Sequence, residues 1–422
     1  MRKAVLVLLL AMPIYAETTV TLLHFSDYHS HALPFYTEEG ELGGIARTIG
    51  YLRHEKRRGA FVFSGGDTVN KGSPAWSDLY QCAEWPGLNG VVDAMAFGNH
   101  DADYGRAAFD RCRGDVRYPI LSANTPGFQR YAVFKRGGVR IGVFAVAGTD
   151  FPQLVKVPGM TFGDPVAAAR EVVRELREKE RVNLVVMIGH QTTEADYALA
   201  KAVPGIDIIF GSHSHLKRDL TRIDGTNTSF ISPSQYLTYI SRLEVVLDEG
   251  RVKTVRGGLV PVDDKMPEHG PTARRVERMQ RDLERHPQYA ALFEPIGTLD
   301  APLSAEGFGN RALQVMRDAT STEVAISTTS SFRQPLPAGT LTMELLRAAM
   351  PYDNEIVVCT MTGADLARLH AESYVSGAYE AGDTYKVATT DYLAGKEKLS
   401  CEKTEKRVRG ELQKQLGRPA ER

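Results

Sequence analysis

The residues able to do chemistry sit at the ends of apolar runs. The run 20–26 leads into Asp27-Tyr28-His29, 60–66 into Asp67, and 91–97 into Gly98-Asn99-His100-Asp101-Ala102-Asp103. The run 184–189 leads into His190, and 206–211 into Ser212-His213-Ser214-His215. A short apolar run that breaks at Gly into polar residues reads as a buried strand. Its last side chains then lie at the carboxyl edge of a sheet, where open α/β sheets keep their sites. Asp, His and Asn are donors for hard-to-borderline divalent metals. One such end could be a polar turn. Five of them in one chain predict a metal site.

Helices of the right spacing lie between those ends. Residues 41–57 are expected as a helix with Ile45, Ile49 and Leu52 on one face. A second helix is expected to start at Asp164-Pro165, an N-cap side chain followed by Pro at the first turn, with Val166, Ala169, Val173 and Leu176 at helical spacing. A short helix over 195–203 precedes the strand that ends at Gly211, and a strand pair is expected near 131–146. This repeated β–α–β grammar predicts a layered α/β domain. From 229 to 260 the pattern turns to strands with Gly-rich turns, and His269-Gly270-Pro271 marks a boundary. Residues 272–285 read as a charged connector helix with a narrow seam of Val276, Met279 and Leu283. Beyond it, helices are expected at 309–317, 343–350 and 363–370, with strands at 323–326, 355–361 and 385–389. The tail from Gly395 is dominated by charge and is expected as a solvated helix.

Length and composition narrow the classes. A chain of 422 residues has room for two domains. Hydrophobic content of 43% and charged content of 24% are those of an ordinary globular protein. A net charge of −1 with interspersed signs leaves no basic stripe, which disfavours a nucleic-acid polymer as partner. A small phosphate ester stays open, because a metal can supply positive charge locally. Arg2 and Lys3 precede the apolar run 4–12, and Pro13-Ile14-Tyr15-Ala16 ends in a small residue. That is a signal-peptide layout over 1–16, too short for a bilayer span, so the expected location is periplasmic or secreted, with no membrane attachment after cleavage. No Cys follows the cleavage region, so a lipid anchor is not expected. Four Cys fit an oxidising compartment. Cys82 with Cys112 and Cys359 with Cys401 is one of three possible pairings, and the sequence leaves the choice open. Asn227-Thr228-Ser229 is a glycosylation sequon.

In order and spacing, Asp27-x-His29, Gly65-Gly66-Asp67, Gly98-Asn99-His100-Asp101, Gly189-His190 and Gly211-Ser212-His213-Ser214-His215 resemble the motifs of the calcineurin-like metallophosphoesterases, and most closely their 5′-nucleotidase branch. The resemblance runs from about residue 18 to 262. It implies a four-layer αββα sandwich, an α/β fold, followed by a smaller α+β substrate-binding domain. It implies Asp27, His29, Asp67 and His215 around one divalent ion, and Asp67, Asn99, His190 and His213 around a second, with Asp67 bridging and the ions Zn, Mn or similar. Two such ions roughly 3.5–4 Å apart can clamp a phosphate. His100 and Asp103 match the family's His–Asp dyad, in which the carboxylate orients the imidazole and raises its pKa. The family more often has Glu where Asp101 stands, and that position is expected to be structural. His24 and His31 are expected to pack or line the rim.

The second half resembles the 5′-nucleotidase carboxy-terminal domain. Thr329-Ser330-Ser331-Phe332-Arg333 stands where the family has a Gly-rich run ending in Arg. Pro351-Tyr352-Asp353-Asn354 stands for its Pro-Phe-x-Asn, and Thr390-Asp391-Tyr392 for its second aromatic. The resemblance implies that Tyr352 and Tyr392 sandwich a base, Arg333 meets a phosphate or carboxylate oxygen, and Asn354 a base edge. The family's Gly-Gly-Asp-Gly-Tyr loop is absent after Tyr392, and residues 286–310 hold no Arg.

The expected division is therefore a signal peptide (1–16), a dimetal phosphoesterase domain (17–265), a linker helix (266–293) and a 5′-nucleotidase-like domain (294–422). The expected activity is release of phosphate from nucleoside 5′-monophosphates or related esters. The alternatives are a relative acting on cyclic nucleotides, nucleotide sugars or a sulfur ester, and a non-catalytic nucleotide- or metal-binding protein. Retention of both the ligand set and the dyad favours the enzyme.

Overall fold

The computed structural model describes residues 17–72 and 74–416; the expected signal peptide lies outside them. Two six-stranded sheets carry the first part of the chain. In the first sheet, Thr18–Phe25 lies between Phe61–Ser64, which runs parallel to it, and Tyr239–Asp248, which runs antiparallel. Ala94–Ala96 and Ile120–Leu121 extend the parallel side, and Arg251–Pro261 forms the other edge. The second sheet runs Lys217–Arg222, Ser229–Pro233, Ile208–Phe210, Leu184–His190, Val139–Ala147, Tyr131–Arg136.

Alternation along the strands sends side chains to two cores. Leu22, Phe63 and Ala96 meet Val143, Val186 and Phe210 between the sheets. Their neighbours Leu23, Val62 and Met95 point outward onto Ile45, Ile49 and Leu52 of helix Ile45–Arg57. On the far side, Phe144, Val185 and Met187 pack against Ala169, Val172 and Val173 of helix Pro165–Arg174 and Leu199 of helix Thr193–Ala202. Strands covered on both faces must be apolar at every position, which is why the runs are continuous rather than alternating. The result is helix, sheet, sheet, helix, the expected four layers.

Asp164 caps its helix as expected, its side chain accepting from the Ala167 N–H at 2.7 Å. Helix Gly270–Arg285 buries Val276, Met279 and Leu283 against helices Ile45–Arg57 and Ala75–Tyr80. A five-stranded mixed sheet follows, in the order Ser373–Ser376, Val324–Thr328, Thr384–Thr390, Glu355–Thr362, Cys401–Arg407. Helices Ala305–Thr320 and Val408–Leu416 cover one face, and Gly363–Leu369 and Asp391–Lys396 the other.

The tail departs from expectation. Cys401–Arg407 is an edge strand, with Cys401 opposite Cys359 in the ladder. Its Lys and Glu residues read as a solvated helix because a charged edge strand has the same composition. Among the described residues of the tail, helix is confined to the end of Asp391–Lys396 and to Val408–Leu416, which buries Val408 and Leu412. The cysteines pair as Cys82–Cys112 and Cys359–Cys401. The C-terminal part touches the first through the Ala75 N–H, which donates to Glu344 Oε1 at 2.6 Å, through Arg347 on the Gly72 carbonyl, and through the Ala305 N–H on Glu38 Oε1 at 3.1 Å.

Candidate metal centre and active site

The ends of parallel strands from both sheets converge on one spot. Among the described residues, Asp27, His29 and His215 form one group whose ligand atoms all lie within 4.8 Å of one another, and Asp67, His190 and His213 form another. In the first, Nε2 of His29 and Nε2 of His215 approach to 3.0 Å, and Asp27 Oδ1 lies 3.6 Å from His215 Nε2. In the second, His190 Nε2 lies 3.3 Å from Asp67 Oδ2 and 3.3 Å from Asn99 Oδ1. Asp67 Oδ2 also stands 3.8 Å from His29 Nε2, so one carboxylate oxygen faces both groups.

The imidazoles are turned by their other nitrogens. His29 Nδ1 meets the Val69 carbonyl at 3.2 Å, and His190 Nδ1 the Gly65 carbonyl at 2.5 Å. A carbonyl can only accept, so the proton is assigned to Nδ1 and the Nε2 lone pair faces inward. His213 is turned the other way round. Its Nε2 lies 2.8 Å from Asp150 Oδ2, which leaves Nδ1 for an ion.

Backbone strain is concentrated here. Asp27, His29, Asp67, His213 and His215 all have φ between 47° and 63°, a region that costs a non-Gly residue roughly 1–3 kcal/mol and persists where surrounding structure enforces it. Gly98 is required by close approach. A Cβ there would stand 2.2 Å from Asp67 Oδ1.

The donor set fits divalent cations. Burial drives the Asp27 carboxyl up to about 6, and burial holds His29 and His215 well below the usual imidazole range. His190 goes the other way: burial opposes its charge, but Asp67, Asp27 and the Gly65 carbonyl together outweigh it and push the imidazole up to about 10. The His29 Nε2 lone pair stands 3.0 Å from His215 Nε2, beside the buried carboxyl groups of Asp27 and Asp67, a cluster of donors that a cation would satisfy. Metal loading there would displace the His190 proton.

The dyad residues lie beside this centre. His100 Nδ1 is 2.7 Å from Asp103 Oδ2, and its ring meets that of His29 edge-on at 5.2 Å. Burial lowers the His100 pKa, but Asp67 and then the Asp103 hydrogen bond raise it further, to a net value above the usual imidazole. Asp101 accepts from the backbone N–H groups of Asp67, Thr68 and Gly98 at 3.2, 2.8 and 2.8 Å and from the Thr68 hydroxyl at 2.7 Å. It clamps the loop that carries Asp67. His24 stacks on Phe210 and His31 on Tyr236.

Of the expected substrate residues, Arg333 is the one whose charge reaches the histidines of the candidate metal centre. Its charge depresses His29, His100 and His215, and it lies between the hydroxyls of Tyr236 and Tyr352, with Tyr352 at 3.5 Å. Tyr352 and Tyr392 are 50% and 55% exposed, so neither is a core residue. Tyr352 precedes the strand Glu355–Thr362 and Tyr392 follows its antiparallel partner Thr384–Thr390, so both flank the same end of the pair, where Ile356 faces Thr390. The backbone carbonyl of Asn354 accepts from the Val408 N–H.

Two residues escaped the sequence reading. Asp150 lies three residues past the strand Val139–Ala147, a sixth apolar run breaking at Gly148 into a carboxylate. Tyr236 follows Ser229–Pro233 in the same manner, with φ 61°.

Comparison with known proteins agrees with this geometry. Residues 20–217 match the calcineurin-like phosphoesterase family and residues 296–379 the 5′-nucleotidase C-terminal domain. The trifunctional nucleotide phosphoesterase protein YfkN of Bacillus subtilis is 24% identical over 88% of this chain, which spans 29% of YfkN. The solved structure of a 5′-nucleotidase precursor from Thermus thermophilus superposes with a TM-score of 0.74 at 21% identity, over 95% of this chain and 96% of that one. The sulfate thiohydrolase SoxB of Thermus thermophilus superposes with 0.72 at 19% identity, over 94% of each. With both family matches in order along one chain, the protein belongs to the calcineurin-like metallophosphoesterases, in the 5′-nucleotidase family.

Proposed function

We propose that the protein is an exported dimetal phosphohydrolase that releases phosphate from nucleoside 5′-monophosphates or related esters. The observation that carries this is Asp67 Oδ2, which stands within 4 Å of a histidine from each donor group. Two close dications need shared negative charge, and this carboxylate supplies it. Asp27, His29, Asp67 and His215 would hold one ion, and Asp67, Asn99, His190 and His213 the other. Bound there, the ions would supply Lewis acidity towards the phosphoryl group and its attacking water.

The chain's own residues do the rest. His100 keeps Nδ1 on Asp103 and presents Nε2, where a proton can pass to the leaving oxygen or hold charge on the phosphoryl oxygens. Arg333 adds a fixed cation on the same side. Tyr352 and Tyr392 offer exposed rings for a base, with Asn354 beside them. Residues 17–265 would then carry the reaction, 266–293 the link, and 294–422 the choice of substrate. Export rests on the 1–16 pattern and on two disulfides; among the described residues no helix is long and apolar enough to cross a membrane.

The test is phosphate release with added Mn²⁺ across nucleoside monophosphates, cyclic nucleotides, nucleotide sugars and simple esters, with a sulfur ester alongside. The highest kcat/KM should fall on a nucleoside 5′-monophosphate. No hydrolysis of any ester would turn the reading to a binding protein.

A further inference from the structure

Beside the candidate metal centre lies a cavity of about 280 Å³. It forms where the 30–35 segment, the end of helix Gly270–Arg285 and helix Met343–Ala349 meet. Much of its wall is apolar, including Phe35, Trp76 and Leu283, and Trp76 and Leu283 are 3% and 1% exposed.

Three buried polar atoms of wall residues have no hydrogen-bond partner: His31 Nε2, Gln334 Oε1 and Glu344 Oε2. All three are acceptors. His31 Nδ1 lies 3.0 Å from the His29 carbonyl, so its proton sits there and Nε2 offers a lone pair. Glu344 Oε1 is taken by the Ala75 N–H, and Oε2 has only Arg347 at 3.6 Å. Gln334 is 5% exposed. The Trp76 indole N–H is spent on Glu84. A buried acceptor left without a donor costs about 1–3 kcal/mol, and three of them belong to the lining of one apolar cavity.

We propose that this cavity is a ligand site separate from the metal centre, taking a small, mostly apolar molecule with an N–H donor head, an arylalkyl amine in shape and chemistry. Its volume is at the low end for ligand pockets, which suits one ring and a short arm. The ring lies against Phe35, Trp76 and Leu283, and the amine reaches the acceptors of His31, Gln334 and Glu344. Because the wall joins helix Met343–Ala349 to the first part of the chain, an occupant holds the two together. His31 bonds to the backbone of His29, so the occupant also abuts the segment that carries the metal centre.

Trp76 is a built-in reporter, since the chain has 2 Trp and the other, Trp85, is not among the cavity-lining residues and packs edge-on against Phe109. The experiment titrates the full chain with benzylamine and with benzoate while following Trp fluorescence. Gln334→Leu removes an acceptor, and Ala348→Phe fills the cavity; phosphate release from p-nitrophenyl phosphate reports that each variant is folded. Benzylamine should give a saturable change. Binding should be about tenfold weaker for Gln334→Leu, the worth of one hydrogen bond, weaker still for benzoate, which brings no N–H donor to the three acceptors, and absent in Ala348→Phe. If Ala348→Phe does not fold, benzoate and Gln334→Leu decide. No saturable change in the wild type, equal binding of benzoate, or undiminished binding in the variants overturns the proposal.

Discussion

The backbone N–H of His100 donates to Asp67 Oδ1 at 2.8 Å, and this contact determines which oxygen of Asp67 is left for metal. Oδ1 is tethered, so Oδ2 turns to His29 and His190. The segment that carries the expected acid therefore also aims the expected bridge. Gly98 makes this possible, since a Cβ there would stand 2.2 Å from Oδ1. Gly98→Ala should leave a folded chain with little metal and little activity, read by metal analysis and circular dichroism. Full metal content in Gly98→Ala would mean the loop has room the geometry denies it.

Replacing His100 with Ala should keep the metals and slow hydrolysis by roughly 10²–10⁴-fold, the range for a positioned acid or base. The loss should be smaller for p-nitrophenyl phosphate than for an alkyl phosphate if the imidazole protonates the leaving oxygen. Equal losses would assign it to charge stabilisation instead.

The pH profile should report the partner of His100. Burial lowers its pKa, but Asp67 and Asp103 raise it to a net value above the ordinary imidazole. The protonated form is the useful one, so activity is kept below that raised pKa and lost as pH rises through it. Asp103→Asn removes one of the raising charges, and the alkaline limb of kcat/KM should move to lower pH. An alkaline limb that stays in place would separate it from His100.

The exposed pair Tyr352 and Tyr392 should matter for nucleotides alone. Tyr→Ala at either should cost AMP hydrolysis about 1–3 kcal/mol, the range for base–aromatic stacking, while p-nitrophenyl phosphate hardly changes. An equal effect on both substrates would detach the rings from base recognition.

The Cys359–Cys401 bridge ties the edge strand Cys401–Arg407 to Glu355–Thr362. Replacing both cysteines by Ser should cost about 2–4 kcal/mol, with hydrogen exchange rising first along 401–416. Unchanged exchange there would show that the helix Val408–Leu416 holds the strand by itself.

What the sequence made legible was local. A strand end carries its polar residues within a few positions of its last apolar one, so Asp27, Asp67, Asn99, His190 and His213 could be read without knowing the sheet order. Asp150 uses the same device, but one carboxylate after Gly-Thr resembles an ordinary turn until His213 is seen across from it. The edge strand Cys401–Arg407 was hidden for another reason. Its inward contacts are few, and a ladder bonded through the backbone leaves almost no side-chain pattern. Tyr236 and Arg333 meet only in three dimensions, from residues almost 100 positions apart.

The most direct test of the shared carboxylate is Asp67→Asn, assayed for bound metal and for phosphate release on the same purified protein. The account predicts loss of turnover together with loss of at least one ion per chain, because the amide withdraws the charge both ions need. Wild-type turnover with two ions still bound would contradict it.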